Sequence, residues 1–218
     1  MRPAAVVFDN DGLTLDTEQA WTRAESALFA RYGRAFDDDH KRDLLGSARD
    51  VAAAKLEGHL ALPGRGRQLV DELHTIVMEE LDRGAPPMPG AIELVGALRA
   101  AGIPVGLASN SSREFVDKAL RGAGLRDAFD VTVAGDEVAN PKPAPDGYLA
   151  AAAALGADPA ACVALEDSPP GVAAAKAAGM TVIGIPSFPG VVLDGADLVA
   201  TSLSDAAVRL AVGLRAAA

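Results

Sequence analysis

The sequence predicts an α/β protein with a doubly wound parallel sheet and a helical segment inserted after the first strand. Short apolar runs that end in polar residues alternate with helical patterns from residue 91 onwards. By contrast, residues 17–84 contain several helical patterns and no convincing strand. Open sheets of this kind bind ligands beyond the carboxyl ends of their strands, so a functional site is expected there.

Six apolar runs are the predicted strands. Such runs are typical of parallel strands that are covered on both faces. They are residues 4–8, 103–108, 131–134, 162–165, 181–185 and, as the weakest, 197–200. The predicted helices between them are residues 91–101, 114–122, 147–155 and 171–178, each with a glycine near or just after its end.

The inserted segment consists of four amphipathic stretches, residues 17–32, 38–45, 48–60 and 67–83. A proline- and glycine-rich stretch, residues 84–90, then indicates a stiff linker back to the sheet. We therefore predict two domains: a core of residues 1–16 and 85–218, and a helical insert of residues 17–84.

Composition excludes several classes of protein. The net charge of −10 over 218 residues argues against nucleic-acid binding. No apolar run approaches the roughly 20 residues of a membrane span, so no membrane partner is expected. The single cysteine, Cys162, excludes an internal disulfide and suits a reducing, cytoplasmic location. For oligomeric state we expect a monomer or a weak homodimer.

Carboxylates follow two of the predicted strands. Asp9 and Asp11 come directly after the first strand, and Gly12 permits the loop to turn so that both face one site. Glu166 and Asp167 follow the fourth strand in the same way. Such acidic loops are also common as helix caps, and that is the favoured interpretation for nearby Asp16 or Thr17 and for Ser168.

Two further clusters supply groups that hold phosphate. Ser109 and Asn110 follow the second strand, where a hydroxyl and free backbone N–H groups suit a phosphate. Taken alone this signal is weak, because a helix cap explains the neighbouring serines equally well. Lys142 stands among three prolines that restrict its backbone, although a solvated lysine on a rigid loop is the alternative.

The four carboxylates together pose an electrostatic problem. Asp9, Asp11, Glu166 and Asp167 cannot all remain ionised in one cleft without a counter-charge. All-oxygen ligands favour a hard divalent cation, and Mg²⁺ suits a few carboxylates with waters and a phosphate oxygen. The predicted site therefore binds Mg²⁺ and a phosphate group, with Lys142 supplying further positive charge.

Two other kinds of site, that of a cysteine phosphatase and that of a zinc protein, lack the residues that they require. Cys162 is followed six positions later by Ser168 rather than by the arginine of a cysteine phosphatase. The three histidines, His40, His59 and His74, all lie in the insert and have no zinc-like spacing.

These motifs, in this order, resemble the haloacid dehalogenase superfamily, in its branch of β-phosphoglucomutase-like phosphatases. The motifs are 9–12 with 16–18, then 109–110, then 141–146 around Lys142, then 166–180, so that the resemblance covers nearly the whole chain. It implies a Rossmann-like core and a helical cap formed by the insert.

The resemblance also implies a mechanism. Asp9 attacks phosphorus to give an aspartyl-phosphate, and Asp11 protonates the leaving oxygen and later activates water. Mg²⁺ is held by the Asp9 carboxylate, the Asp11 backbone carbonyl and Asp167, with Glu166 close by. Ser109 and Lys142 bind the oxygens of the transferred phosphoryl group, and Asn110 also contributes to substrate binding.

The nature of the substrate depends on the cap. Dehalogenases of this superfamily generally lack the second aspartate, so Asp11 favours phosphate chemistry. β-Phosphoglucomutase uses a cap histidine, a lysine and an arginine; here Trp21, Leu45 and Arg49 occupy those positions, with Gly46 beside them. We therefore expect a phosphatase for a small phosphorylated metabolite, with Trp21, Gly46 and Arg49 in substrate binding. A mutase is the alternative, and a catalytically idle binding protein is a third possibility that no residue supports.

Overall fold

A computed structural model describes residues 2–214 of the protein. Its sheet has six parallel strands in the order β3-β2-β1-β4-β5-β6. The first strand therefore lies at the centre, and the order reverses beside it. The strands are β1 Ala5–Phe8, β2 Val105–Ala108, β3 Val131–Val133, β4 Cys162–Glu166, β5 Thr181–Gly184 and β6 Leu198–Val199.

The α-helices of the described residues fall into two groups. Four lie between β1 and β2: α1 Glu18–Arg31, α2 Asp38–Leu44, α3 Arg49–Leu60 and α4 Gly66–Glu80, and we call them the cap. The others alternate with the strands: α5 Ala91–Ala100, α6 Arg113–Gly122, α7 Asp146–Ala154, α8 Pro169–Ala177 and α9 Ala206–Ala211. Across residues 2–214, every helix is too short or too polar to cross a membrane.

Two apolar cores cover the faces of the sheet. Side chains alternate along a strand, so Val6 and Phe8 of β1 enter one core and Val7 enters the other. The first core continues into the cap through residues such as Leu28 and Leu69. The cap therefore shares buried apolar surface with the sheet domain.

The predicted fold class is confirmed, with strand and helix ends shifted by one or two residues. Strand β2 begins at Val105, two residues after its predicted start, although the Pro104 carbonyl already accepts a hydrogen bond from Val6 of β1. The segment predicted as one helix over 67–83 is α4 followed by a 3₁₀ turn at Leu81–Arg83. Helix α9 was not predicted. Residues 1 and 215–218 of the predicted core lie outside the described residues, and the domain boundaries at 16/17 and 84/85 remain predictions.

Gly90 fixes the junction between the linker and α5. Its φ is 86°, and a Cβ atom there would lie 2.5 Å from the backbone nitrogen of Ser204. We predict that Gly90→Ala lowers the free energy of unfolding by about 2 kcal/mol or more, because the left-handed backbone costs an L-residue roughly 1–2 kcal/mol and the neighbouring backbone must also shift. Chemical denaturation measures the change.

Gly96 provides the matched control for that measurement. It lies exposed in the middle of α5, and a Cβ there meets nothing within 4 Å. Gly96→Ala should stabilise the protein by about 0.5–1 kcal/mol through helix propensity. Equal stabilities for the two variants would contradict the account of Gly90.

Candidate active site

The polar clusters meet at the carboxyl edge of the three central strands. Asp9 follows β1, Ser109 follows β2, and Glu166 ends β4 with Asp167 directly after it. Since β1 lies between β2 and β4, these residues emerge side by side. The loop after β3 brings Lys142 to the same place.

Lys142 joins Asp9 to Glu166 through its ammonium group. Nζ donates to Asp9 Oδ1 and, over 2.5 Å, to Glu166 Oε1, and only 5% of the residue is exposed. Burial alone would lower the pKa of Lys142, but the two carboxylates outweigh that effect and raise the pKa above its ordinary value. Lys142 is therefore a fixed positive charge at the strand edge.

Asp9 and Asp167 place their carboxyl groups in a nearly dry environment. Burial raises the pKa of Asp9 well above its ordinary value, although Lys142 opposes the shift. Burial, together with the neighbouring Asp9 and Glu166, raises the pKa of Asp167 as well. One lysine does not offset this group of carboxylates, so the site favours a second cation.

Glu166 has both carboxylate oxygens engaged by the protein. Oε1 accepts from Lys142 and, at 2.7 Å, from the Tyr148 hydroxyl; Oε2 accepts from the backbone nitrogens of Asp167 and Ser168 at 3.0 and 3.2 Å. A Cβ atom at Gly171 would lie 1.9 Å from this carboxylate, so the third residue of α8 must be a glycine. Glu166 thus fixes Lys142 in place.

Asp11 connects the second strand with the start of the cap. Its Oδ2 accepts from the hydroxyls of Ser109 at 2.9 Å and Ser111 at 2.8 Å, and its Oδ1 accepts from the Thr17 hydroxyl at 2.7 Å. Thr17 occupies the N-cap position of α1 but makes no capping hydrogen bond with its side chain. The arrangement holds Asp11 as a hydrogen-bond acceptor beside Asp9.

Asn110 ties the lysine loop to the cap. Its side-chain nitrogen donates to the carbonyl oxygens of Gly46 at 3.0 Å and Lys142 at 3.1 Å, and its Oδ1 accepts from the Lys142 backbone nitrogen at 2.8 Å. The backbone that carries the lysine and the loop after α2 are therefore held by one side chain.

A cavity of about 370 Å³ lies between this edge of the sheet and the cap. Its volume is near the lower end of the roughly 300–1,000 Å³ that is usual for small-molecule sites. Trp21 of α1 forms part of its wall and stacks on Phe115 of α6, with ring centroids 5.2 Å apart. Arg49 also lines the cavity and is paired with Asp71 on α4.

Every residue predicted for the site lies at this cavity or directly behind its wall. Those that line it are Asp9, Asp11, Trp21, Gly46, Arg49, Asn110, Lys142 and Asp167. Ser109 and Glu166 lie behind them and contact Asp11 and Lys142.

Sequence reasoning missed four polar residues of the same network. Ser111 and Thr17, interpreted as helix caps, donate to Asp11, and Tyr148 donates to Glu166. Ser187 donates to Asp167 Oδ2 at 2.5 Å from the loop after β5. The strand-end rule that found the other clusters applies to Ser187 too, because β5 neighbours β4.

The donor set fits a hard divalent cation. Across the described chain, no three His, Cys, Asp or Glu side chains are grouped so that they could hold a metal ion by themselves. Mg²⁺-type sites do not need such a group, since they use one or two carboxylates with waters and substrate phosphate oxygens. The buried Asp9 and Asp167, with their raised pKa values, supply carboxylates of that kind.

Comparison with known proteins agrees with this geometry. The family model of haloacid dehalogenase-like hydrolases matches residues 3–179, which include the strand-end acids and the lysine loop. The chain belongs to that family. The predicted superfamily is thus confirmed, and the hydrolase is an enzyme of a family in which a divalent metal is typical.

Two curated relatives and one solved structure are similar to the hydrolase. Hexitol phosphatase B of Escherichia coli K12 is 36% identical over 185 residues, 84% of this chain and 83% of that protein. The bifunctional riboflavin kinase/FMN phosphatase of Arabidopsis thaliana is 35% identical over 85% of this chain but 49% of its own length, so this chain spans about half of it. A CbbY variant from Rhodobacter sphaeroides, in complex with xylulose-(1,5)bisphosphate, superimposes with a TM-score of 0.81 at 29% identity, covering 94% of this chain and 96% of that one.

Proposed function

We propose that this hydrolase removes the phosphoryl group from a small phosphomonoester by nucleophilic attack of Asp9. The observation that carries the proposal is the position of the Asp9 carboxylate. It ends the central strand, lines the cavity, and is held by a buried lysine that also fixes Glu166. A carboxylate so placed is oriented before substrate arrives, and orientation is a large part of catalysis of phosphoryl transfer.

In the first displacement an Asp9 carboxylate oxygen bonds to phosphorus while the bond from phosphorus to the leaving oxygen breaks. Asp11 gives its proton to that oxygen, so that a neutral alcohol departs and the phosphoryl group stays on Asp9. Lys142 and Ser109 donate to the phosphoryl oxygens, where negative charge develops. Asn110 keeps the backbone of Lys142 in position through the hydrogen bonds described above.

In the second displacement water attacks the phosphorus of the aspartyl-phosphate, and its proton passes to Asp11. The bond from phosphorus to Asp9 breaks, releasing phosphate and restoring the carboxylate. Asp11 accepts hydrogen bonds from three hydroxyl groups, as suits a carboxylate that takes a proton. The proton that it takes from water is the one that it gives to the leaving oxygen in the first displacement of the next turnover.

The metal that suits this site is Mg²⁺. The Asp9 carboxylate, the Asp11 backbone carbonyl and Asp167 would hold it, with Glu166 close by. Bound there, the ion supplies positive charge that offsets the crowded carboxylates and the phosphoryl oxygens. The support is the pair of neighbouring carboxylates, Asp9 and Asp167, whose burial raises their pKa values, so that a cation beside them would favour their charged forms.

The cap wall of the cavity supports a small metabolite as the substrate. Trp21, the Gly46 backbone and Arg49 would contact its leaving group. Similar proteins are associated with small phosphorylated metabolites: one relative is named a hexitol phosphatase, and the structure of CbbY contains a sugar bisphosphate. Nothing at the cap favours a mutase, because Leu45 is apolar and buried and Trp21 is stacked on Phe115.

The direct test is Asp9→Asn, with p-nitrophenyl phosphate as a general phosphomonoester. We expect kcat/KM to fall by at least about 1,000-fold, because the amide is not a nucleophile. Acid-quenched wild-type enzyme should carry a phosphoryl group on Asp9, detected by mass spectrometry. Asp127→Asn, an exposed acid of the sheet domain, is the control and should keep full activity. A phosphorylated Asp9→Asn protein would refute the assignment.

Removal of the metal gives a second test. Activity should vanish in EDTA and return with Mg²⁺, since Lys142 alone does not neutralise the site. Mg²⁺ should also raise the melting temperature of the wild-type protein, because it binds only the folded carboxylates. Asp167→Asn should abolish that thermal shift. Full turnover in the presence of EDTA would contradict the metal assignment.

A further inference from the structure

The cap wall of the cavity contains a buried charge cluster that the proposed chemistry does not use. It consists of Glu18 and Glu25 on α1 and Lys41 on α2, and we call it the cap triad. Lys41 and Glu25 are 2% and 4% exposed, and all three side chains line the cavity. Charged groups are seldom buried unless they are paired, so this placement needs an explanation.

The triad faces the substrate because of its spacing on α1. Glu18, Trp21 and Glu25 are three and four residues apart, so they lie on one face of the helix. That face is directed at the cavity, and Lys41 reaches it from α2. The cap wall of the cavity therefore carries an indole between two carboxylates.

The ion pairs of the triad leave acceptor capacity unused. Lys41 Nζ lies 2.6 Å from Glu18 Oε2 and 3.1 Å from Glu25 Oε2. The second contact is a hydrogen bond, and in the first the ammonium group lies against the buried Glu18 Oε2. The Glu18 side chain keeps 15% of its surface exposed, and the residue lines the cavity. An alcohol group of a bound molecule can donate a hydrogen bond to this exposed part of the carboxylate.

The triad is also electrically unbalanced. Two carboxylates share one ammonium group, so its formal charge is −1. Burial raises the pKa of Glu25 to about 7, an effect that Lys41 opposes and Glu18 reinforces. Burial would lower the pKa of Lys41, but the two glutamates raise it, so Lys41 remains charged. The triad repels further negative charge whenever both carboxylates are ionised.

The rest of the lining offers little compensation for this charge. Among the described residues that line the cavity, seven carboxylates face three lysine or arginine side chains. Lys142 and a bound divalent cation would serve the transferring phosphoryl group. Lys41 is held within the triad, and Arg49 forms a solvent-exposed pair with Asp71. A second anionic group on the substrate would therefore enter a lining of net negative charge, in which Arg49 is the one lysine or arginine of the described lining outside the triad and the phosphoryl site.

We propose that the cap triad selects substrates with an uncharged, hydroxyl-bearing leaving group and excludes those that carry a second anionic group. The substrate class is thus the monophosphate of a polyol or neutral sugar, rather than a bisphosphate or a phosphorylated carboxylic acid. Glu18 accepts a hydrogen bond from a substrate hydroxyl, and the indole of Trp21 packs against its carbon chain. The inference rests on the phosphatase function proposed above.

A matched pair of substrates tests the selectivity. Glycerol 3-phosphate and 3-phosphoglycerate share a three-carbon skeleton and differ by a carboxylate in place of a hydroxymethyl group. We expect kcat/KM to favour glycerol 3-phosphate by about tenfold or more, the effect of one poorly screened charge at an effective dielectric of about 20. A ratio at or below one in the wild-type enzyme would overturn the inference.

Variants that remove charge from the triad test whether it causes the preference for glycerol 3-phosphate over 3-phosphoglycerate. Glu18→Gln and Glu25→Gln keep the shape of the side chain and remove one negative charge, so each should lower the ratio severalfold. The control is Asp38→Asn, an exposed acid on the same helix as Lys41, which should leave the ratio unchanged. A preference that survives both glutamine variants unchanged would overturn the role of the triad.

The same assays separate this inference from the proposed function. An enzyme that hydrolyses p-nitrophenyl phosphate but shows no preference between the two three-carbon substrates would overturn the selectivity alone. An enzyme that hydrolyses no phosphomonoester, with Mg²⁺ present, would overturn both. The two glutamates lie on different turns of α1, so one of the two variants can fold and report if the other does not.

Discussion

The site depends on one buried ammonium group, Lys142, between the carboxylates of Asp9 and Glu166. These three residues come from widely separated parts of the chain, and the parallel order of β1 and β4 brings two of them side by side. Removing one member of a buried ion pair typically costs about 3–5 kcal/mol, because the other charge is left uncompensated. The network around Glu166, with Tyr148 and two backbone N–H groups, is therefore a framework that holds the lysine, which in turn orients Asp9.

Chemistry and selectivity come from different parts of the molecule. The sheet edge supplies fixed charges for the phosphoryl group, while α1 and α2 of the cap supply the wall that meets the leaving group. Asn110 and the Trp21–Phe115 stack connect the two parts. A change in the cap can therefore alter which alcohol departs while Asp9 and Lys142 stay as they are. That separation explains why one fold of this family accommodates relatives named for different phosphorylated metabolites.

Much of the fold and the sheet side of the site could be predicted from sequence because both are encoded locally. Each strand is a continuous apolar run, and the acids and Lys142 follow such runs or stand in a distinctive loop. Contacts between separate elements were not predictable in this way. The packing of α1 against α2, which creates the cap triad, has no local signal, and neither does the contact of Tyr148 with Glu166. Thr17 and Ser111 were interpreted as helix caps because a hydroxyl group at such a position can either cap the helix or donate to a nearby carboxylate. The sequence alone does not show that Asp11 lies within reach of both hydroxyls. Helix α9 is a short alanine-rich turn with little periodicity, so sequence pattern alone did not reveal it.

The central claim is that the phosphoryl group passes through Asp9 and is not taken directly by water. The most direct measurement is the stereochemical outcome at phosphorus, with a phosphomonoester made chiral by oxygen isotopes and hydrolysed in isotopically labelled water. Two successive in-line displacements each invert the configuration, so the account predicts net retention. Net inversion would mean a single displacement by water and would contradict the role given to Asp9.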